Sequence, residues 1–198
     1  MPAHRTCACC CLTQGFEPLL NGDKLDDLHR MYSLFCRINA QEPLRDTYSG
    51  YIRRHGEDLV NDTTREREMV TDLLQFQQRM ENALNTAFEN DDRFRLALKN
   101  SFEHFINLKA NKVAEFMAKF ADKQLRVQKG VDDTEVEQTL ERMLTLFRHL
   151  NSKDMFEAFY RKQLAKRLLL STSASDELER FAFTEPLLHR QRRCMVDV

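Results

Sequence analysis

The chain has 198 residues, of which 42% are hydrophobic and 31% charged, and its formal net charge is −1. This composition is typical of a globular protein with a packed core, and the balanced charge gives no general electrostatic reason to expect nucleic acid or an anionic membrane as partner. The longest apolar runs are too short to span a bilayer, and the first dozen residues lack the apolar core of a secretory signal. These features favour a cytosolic or nuclear protein with reduced thiols.

Few helix breakers interrupt the sequence. The chain contains five glycines and four prolines, with no proline between Pro43 and Pro186. Residues that favour helix, such as Leu, Glu, Lys, Arg and Gln, are frequent, whereas the alternation typical of strands is scarce. The sequence therefore predicts an all-α fold.

The N-terminus is rich in cysteine. Four of the six cysteines fall within five positions, Cys7 and Cys9 to Cys11. With His4 they could form a zinc site, or the thiols could be acylated. However, adjacent cysteines cannot all face one tetrahedral ion, and no second Cys/His pair follows at zinc-finger spacing. We therefore favour a disordered Cys-rich tail over residues 1–13, and we interpret Cys36 as a small core residue.

Five amphipathic helices are predicted between residues 21 and 127. The first begins near 21–23, the second is opened by Pro43 and ended by Gly56, and the third runs over 65–89. Short loops join the helices, so a compact helical bundle is the natural way to bury their apolar stripes. The stripes are Leu25, Leu28, Tyr32 and Phe35; Leu44, Tyr48, Tyr51 and Ile52; Met69, Leu73, Phe76, Met80, Leu84 and Phe88; Phe94, Ala97, Leu98, Phe102, Phe105 and Ile106; and Val113, Phe116, Met117 and Phe120.

Two more helices are predicted beyond a loop over 129–133, which is the best internal boundary in the chain. The first carries Val136, Leu140, Met143, Phe147 and Leu150. The second begins after Asn151–Ser152, which could cap it. A continuous helix from about 134 to 170 would be roughly 55 Å long at 1.5 Å per residue. We expect a bend or break near Ser152 instead.

The last predicted helix carries the most informative motif. The segment reads KDMFEAFYRKQLAKRLLL over 153–170 and is followed by STSAS over 171–175. This order of aromatic and basic residues with a closing Ser-Ala-Ser resembles a segment of the cullins, the elongated scaffolds of multisubunit ubiquitin ligases, and is most similar to the type-four cullins. The motif residues are Phe156, Phe159, Tyr160, Lys162, Leu164, Ala165, Lys166 and Arg167. Ordered matches upstream include GFEPLL over 15–20, DLHRMYSLF over 27–35, DLLQF over 72–76 and NSFEHFIN over 100–107.

The resemblance implies a fold and a division of the chain. Residues 14–127 would form a five-helix cullin-repeat bundle, equivalent to the third repeat of the cullin stalk. Residues 134–179 would be the first one or two long helices of the C-terminal cullin homology region. After SASD over 173–176 the sequence leaves the family pattern, so 180–198 is expected to be a divergent tail.

The resemblance also implies a function. We expect a non-catalytic scaffold piece of a cullin–RING ubiquitin ligase, in the nucleus and cytoplasm, acting in ubiquitin-dependent protein catabolism. The partners would be ubiquitin ligase subunits, although the adaptor-binding first repeat, the RING-binding sheet and the lysine region that accepts NEDD8 are not recognised in these residues. No cofactor, metal, nucleic acid or membrane partner is expected.

The basic residues of the motif have two interpretations. Arg161, Lys162, Lys166 and Arg167 could neutralise nucleic-acid phosphates, or they could form the polar flank of a buried helix. We favour the second interpretation because the chain as a whole is not basic and because Glu157 precedes Arg161 at the spacing of a helical ion pair. Outside the N-terminal cysteines, no cluster of residues has the pattern of a nucleophile with a base, a phosphate loop or a metal site.

The alternative function is a truncated helical interaction protein, such as a competitor that binds cullin partners without supporting ligase assembly. It rests on an expected apolar patch, because truncation would leave one set of side chains without neighbours. These residues are Leu140, Phe147, Phe156, Tyr160 and Leu164.

Overall fold

The computed structural model describes residues 5–126 and 133–170, and all regular elements in these ranges are α-helices. The all-α class predicted from the sequence is confirmed. The helices are α1 (Arg5–Asn21), α2 (Leu25–Arg37), α3 (Gln41–Asn61), α4 (Met69–Thr86), α5 (Asp92–Leu108), α6 (Ala110–Leu125), α7 (Asp133–Phe147) and α8 (Lys153–Leu169).

The chain divides into two compact units. Unit 1 comprises Met1–Asn61 and Gln75–Phe105, and unit 2 comprises Asp62–Leu74 and Ile106–Val198. Unit 1 therefore contains α1 to α3 with most of α4 and α5, whereas unit 2 contains α6 to α8. The loop over 129–133 lies almost wholly outside the described residues, as does the segment 180–198, so the domain limits stay predictions.

Unit 1 has an aromatic core. Phe88 and Phe94 stack with ring centroids 4.5 Å apart, and the ring of Tyr48 meets Phe88 edge-on at 5.1 Å. Phe16 of α1 stacks on Phe88 at 6.4 Å. All four rings are fully buried, and contacts of this kind between rings stabilise a core beyond the area they bury. Each of the helices α1, α3 and α5 thus delivers at least one ring to the same cluster.

The prediction that helical order begins near residue 21 is wrong. Helix α1 begins at Arg5, within the segment expected to be a tail. Its buried positions include only two large residues that the structure describes, Phe16 and Leu20, and Pro18 lies inside the helix. A proline there removes one main-chain hydrogen bond, so α1 depends on packing against the rest of unit 1. Because few of its described residues are apolar and buried, its helical pattern in the sequence is weak. The five predicted helices correspond to α2 to α6, and α1 is an additional one.

The prediction that Gly56 ends the second predicted helix is also wrong. Helix α3 continues through Gly56 to Asn61. A Cβ atom added at Gly56 would lie 2.3 Å from Cδ1 of Phe105, which no real contact allows. Glycine therefore provides the space for a ring at this position, and its role is close packing between α3 and α5.

Helix α4 is shorter than the predicted span of 65–89. The preceding residues form a polar turn in which the Asp62 carboxylate accepts hydrogen bonds from the main-chain N–H and the hydroxyl of Thr64, at 2.7 and 2.6 Å. These hydrogen bonds lower the pKa of Asp62. At the other end, Glu89 and Asn90 adopt φ of 50° and 58°, the left-handed region in which helices commonly terminate.

Unit 2 is built on α6. Its buried face combines small and large side chains, namely Val113, Ala114, Met117, Ala118, Ala121 and Leu125. The alanines allow a neighbouring helix to approach closely, and α6 packs along α8 and also contacts α7. The predicted break near Ser152 is confirmed, because α7 ends at Phe147 and α8 begins at Lys153. Ser152 occupies the N-cap position of α8, but its side chain makes no capping hydrogen bond.

Candidate functional site

The motif helix α8 is divided lengthwise into a buried and an exposed face. Phe156, Tyr160 and Arg167 are buried, Phe159 and Leu164 are partly buried, and Lys162, Ala165 and Lys166 are exposed. The buried positions follow a spacing of four and seven residues, as one face of a helix requires. The structure therefore brings only part of the motif to the packing interface within unit 2.

A buried ion pair joins α6 to α8. Nη1 of Arg167 donates a hydrogen bond of 2.6 Å to Oδ1 of Asp122, and Arg167 is fully buried. Arg126, the residue that follows the last turn of α6, donates from Nε to Oδ2 of the same carboxylate at 3.0 Å. The guanidinium carbon of Arg167 also lies 5.5 Å from the centre of the Tyr160 ring, which is a cation–π arrangement. We call Asp122, Arg126, Tyr160 and Arg167 the ion-pair cluster.

The ion-pair cluster continues into an aromatic row within unit 2. Tyr160 stacks on Phe156 with centroids 5.8 Å apart, and Phe156 meets Phe147 of α7 at 4.8 Å. All three rings are buried. The row therefore connects the charged end of α8 to the C-terminal end of α7, and any change in the register of α8 would disturb both.

The polar-flank interpretation of the basic motif residues was partly wrong. Arg161 is exposed and forms the expected ion pair with Glu157, at 2.5 Å. Arg167, however, lies in the core and is not available to a surface ligand. Its neighbour Leu168, which follows Tyr160 and Leu164 at four-residue intervals, is instead 54% exposed.

The expected apolar patch is not observed. Leu140, Phe147, Phe156 and Tyr160 are all at most 2% exposed, and Leu164 is partly buried. They are covered because α6 packs along α8 and against α7 within unit 2, and because Phe147 of α7 meets Phe156 of α8. The exposed leucines of α8 lie at its end, where Leu169 is 85% exposed.

Asn107, whose role is not predictable from the sequence pattern, fastens the turn between α7 and α8. Its side-chain amide donates from Nδ2 to the main-chain oxygen of His149 at 2.9 Å and accepts at Oδ1 from the main-chain N–H of Asn151 at 2.8 Å. An amide side chain can satisfy both a donor and an acceptor of an irregular main chain. Helical spacing gave no signal for this role, because the partners lie more than forty residues along the chain.

Unit 1 has a comparable polar anchor. Nη2 of Arg79 in α4 donates to the main-chain oxygen of Leu20 and to Oδ1 of Asn21, both at 3.1 Å, and to the hydroxyl oxygen of Tyr51 at 3.2 Å. Cationic groups stabilise the C-terminal end of a helix, where carbonyl oxygens lack partners. Arg79 thus holds the end of α1 against α3 and α4.

Two pKa shifts in unit 1 have clear causes. Burial opposes ionisation of Asp91, but hydrogen bonds from the side chain and main chain of Arg93 and from Tyr32 outweigh it and hold the pKa of Asp91 below its ordinary value. Burial, together with the positive charge of Arg79, lowers the pKa of His55. Both shifts therefore arise from burial and from the hydrogen bonds and charges of neighbouring side chains.

The described residues contain no group of three or more His, Cys, Asp or Glu side chains placed to hold a metal ion. Over the same ranges, no helix combines the length and apolar character needed to cross a membrane. The polar contacts described above join helices to helices and turns. The fold and these contacts define an α-helical packing module in which buried polar groups fix helix register.

Comparison with known proteins assigns this module to a family. The family model described as the cullin alpha solenoid domain matches residues 8–183. The chain is 39% identical to cullin-4 of Dictyostelium discoideum over 170 residues, 41% identical to cullin-4A of Homo sapiens over 171, and 42% identical to cullin-3A of Arabidopsis thaliana over 171. These alignments cover 84–85% of this chain and 21–23% of the relatives, so the chain spans about a fifth of their length.

The chain belongs to the cullin family, which confirms the resemblance seen in the motif helix. The matched range includes every member of the ion-pair cluster, together with Asn107 and Arg79.

Proposed function

We propose that this chain is a non-catalytic part of the scaffold of a cullin–RING ubiquitin ligase. The observation that carries the proposal is the match of the cullin alpha solenoid domain to residues 8–183, together with about 40% identity to cullins of three distant organisms. In this role the chain would act in ubiquitin-dependent protein catabolism, in the nucleus and cytoplasm, alongside other ubiquitin ligase subunits.

The physical task of such a scaffold is to hold a substrate and a ubiquitin-charged enzyme at a fixed separation. Fixed geometry makes a reaction between two bound partners effectively intramolecular. Rigid spacing requires helices that neither slide nor rotate, and densely packed interiors resist both motions. The aromatic core of unit 1 and the ion-pair cluster of unit 2 each supply that resistance within their own unit.

The buried ion pair adds register to the packing in unit 2. An apolar interface between two helices tolerates small shifts, whereas a fully buried guanidinium bound to the Asp122 carboxylate does not, since a shift would separate two desolvated opposite charges. Asn107 fixes the α7–α8 turn in the same way, through two directed hydrogen bonds. By the family resemblance, we assign these elements to the third cullin repeat and the beginning of the C-terminal half.

No second function is favoured by an observation. The competitor hypothesis rested on an exposed apolar patch, and four of the five residues expected to form it are buried.

The proposal is tested by exchange into a complete relative. The aligned 171-residue segment of human cullin-4A would be replaced as one block by the matching segment of this chain, so that Asp122 and Arg167 stay together. In a reconstituted reaction, the chimera is expected to assemble with the ligase subunits and to retain ubiquitin transfer. The same chimera carrying Asp122→Leu should transfer more slowly, and one carrying the exposed change Lys162→Gln should not.

Two results would contradict the proposal. One is a chimera that is folded and assembled with its subunits yet inactive, because the segment would then fail as a spacer. The other is formation of ubiquitin chains when the 198-residue polypeptide is supplied as the sole ligase component with the ubiquitin-activating and ubiquitin-conjugating enzymes, because the segment would then be catalytic. Circular dichroism and light scattering would establish folding and monodispersity in each case.

A further inference from the structure

A groove on the surface of unit 1 lies between α3 and α5. Its volume is about 250 Å³, and its walls carry Arg45 and Arg53 from α3 and Arg93 from α5. The floor lies where the two helices approach, and there the hydroxyl groups of Ser49 and Ser101 are hydrogen-bonded at 2.9 Å. We call this feature the arginine groove.

The charges of the groove are unbalanced. Three arginines and one acidic residue, Asp46, line it. Arg45 binds its chain neighbour Asp46, and Arg93 binds Asp91 beyond the groove. Within the part of the chain that the structure describes, Arg53 has no carboxylate within ion-pair distance. An exposed arginine without a carboxylate partner, facing a concave surface, is an available site for a negatively charged group.

The groove also has an apolar wall. Leu96 and Ala97 of α5 line it between the charged positions, and Leu96 is 57% exposed. Protein–protein interfaces combine an apolar centre with arginines in this manner. A nucleic-acid backbone would gain nothing from Leu96 and would be repelled by Asp46, so the lining favours a peptide.

The spacing of the arginines defines what could bind. Arg45 and Arg53 are separated by eight residues of one helix, about 12 Å at 1.5 Å per residue, and Ser49 lies midway between them on the same stripe. A partner helix with acidic side chains at the same eight-residue interval would reach both. Leucine-sized side chains beside them would contact Leu96, as in other complexes in which a helix binds in a groove.

We propose that the arginine groove is a docking site for an acidic amphipathic helix of a partner protein. The two groups that discriminate it from a general basic surface are Arg53, which supplies an available charge, and Leu96, which supplies apolar contact. This inference depends on the groove alone and does not require the scaffold role.

The test uses the full chain and a synthetic probe. A fluorescein-labelled helical peptide of about 16 residues would present glutamate at every fourth position with leucine beside it, and a matched peptide would carry glutamine in place of every glutamate. Fluorescence anisotropy is expected to show binding of the glutamate peptide only. Arg53→Gln should weaken that binding about tenfold, and Leu96→Ala should weaken it severalfold.

The matched control is Arg54→Gln. Arg54 neighbours Arg53 and is exposed, but it pairs with Glu17 and does not line the groove, so this variant removes the same charge and should bind the peptide like the unaltered chain. The proposal is overturned if the glutamate peptide does not bind at 1 mM, if the glutamine peptide binds equally, or if Arg54→Gln weakens binding as much as Arg53→Gln. It is also overturned if single-stranded DNA displaces the peptide and Leu96→Ala has no effect.

Discussion

The buried ion pair of unit 2 allows a quantitative prediction. Asp122→Leu is expected to reduce the free energy of unfolding by about 3–5 kcal/mol. With charge centres about 4 Å apart, the attraction between Arg167 and Asp122 is about 4 kcal/mol at an effective dielectric constant of 20. Desolvation of the two ions, at several kcal/mol each, largely offsets this attraction. The substitution removes the attraction but leaves the guanidinium of Arg167, which is fully buried, without the Asp122 carboxylate.

The double substitution tests this reasoning. When Arg167→Met is added to Asp122→Leu, the desolvated charge is gone as well, so stability should return close to that of the unaltered chain. Urea unfolding followed by circular dichroism would give the four free energies of a double-mutant cycle, with an expected coupling of at least about 3 kcal/mol. Arg161→Gln on the same helix is the matched control, and because the Arg161 side chain is 63% exposed in its ion pair with Glu157 the substitution should cost less than about 0.5 kcal/mol. A cost for Asp122→Leu no greater than that of the control would refute the argument.

Three further predictions concern single positions. Gly56→Ala should destabilise unit 1 by about 1–3 kcal/mol, because the new methyl group overlaps the Phe105 ring. Gly50→Ala on the same helix, where an added Cβ atom would have nothing within 4 Å, should instead stabilise by up to about 1 kcal/mol. If thermal unfolding showed that the two substitutions shift Tm in the same direction, the packing role of Gly56 would be contradicted. Asn107→Asp should cost about 1–3 kcal/mol, because a carboxylate cannot donate to the turn carbonyl, and hydrogen exchange should increase at 148–152; unchanged exchange there would show that the amide does not hold the turn. Since the pKa of His55 is lowered from 6.5 in the folded state, the unfolded chain binds more protons, so stability should fall as pH drops below about 6.5; His55→Gln should make that fall shallower, and an identical pH profile would show that His55 is not responsible.

The fold class and most helices could be predicted from the sequence because helical burial repeats every three to four residues. The stripe of Leu28 and Tyr32 in α2 and that of Val113 and Met117 in α6 are both buried as expected. Helix α1 escaped prediction because its apolar pattern is weak and contains Pro18. Its stability comes from the rings and polar groups it meets elsewhere in unit 1, which no local window of sequence contains.

The ion-pair cluster could have been inferred in part. Arg167 lies seven residues after Tyr160 and Asp122 lies four residues after Ala118, so each falls near the buried face of its own helix. A polar residue that lies at helical spacing from buried residues is a candidate for burial. It does not reveal the partner, because the two residues are 45 positions apart.

The sequence by itself determined that this chain is helical, where most of its helices lie, and which family it belongs to, because periodicity and residue order are local properties of the chain. Only the tertiary structure decided that Arg167 lies in the core while Leu168 beside it is exposed. It also showed that Gly56 makes room for a ring and does not end a helix. Both outcomes depend on which side chain of a distant segment lies against the residue, and this is decided only when the helices pack.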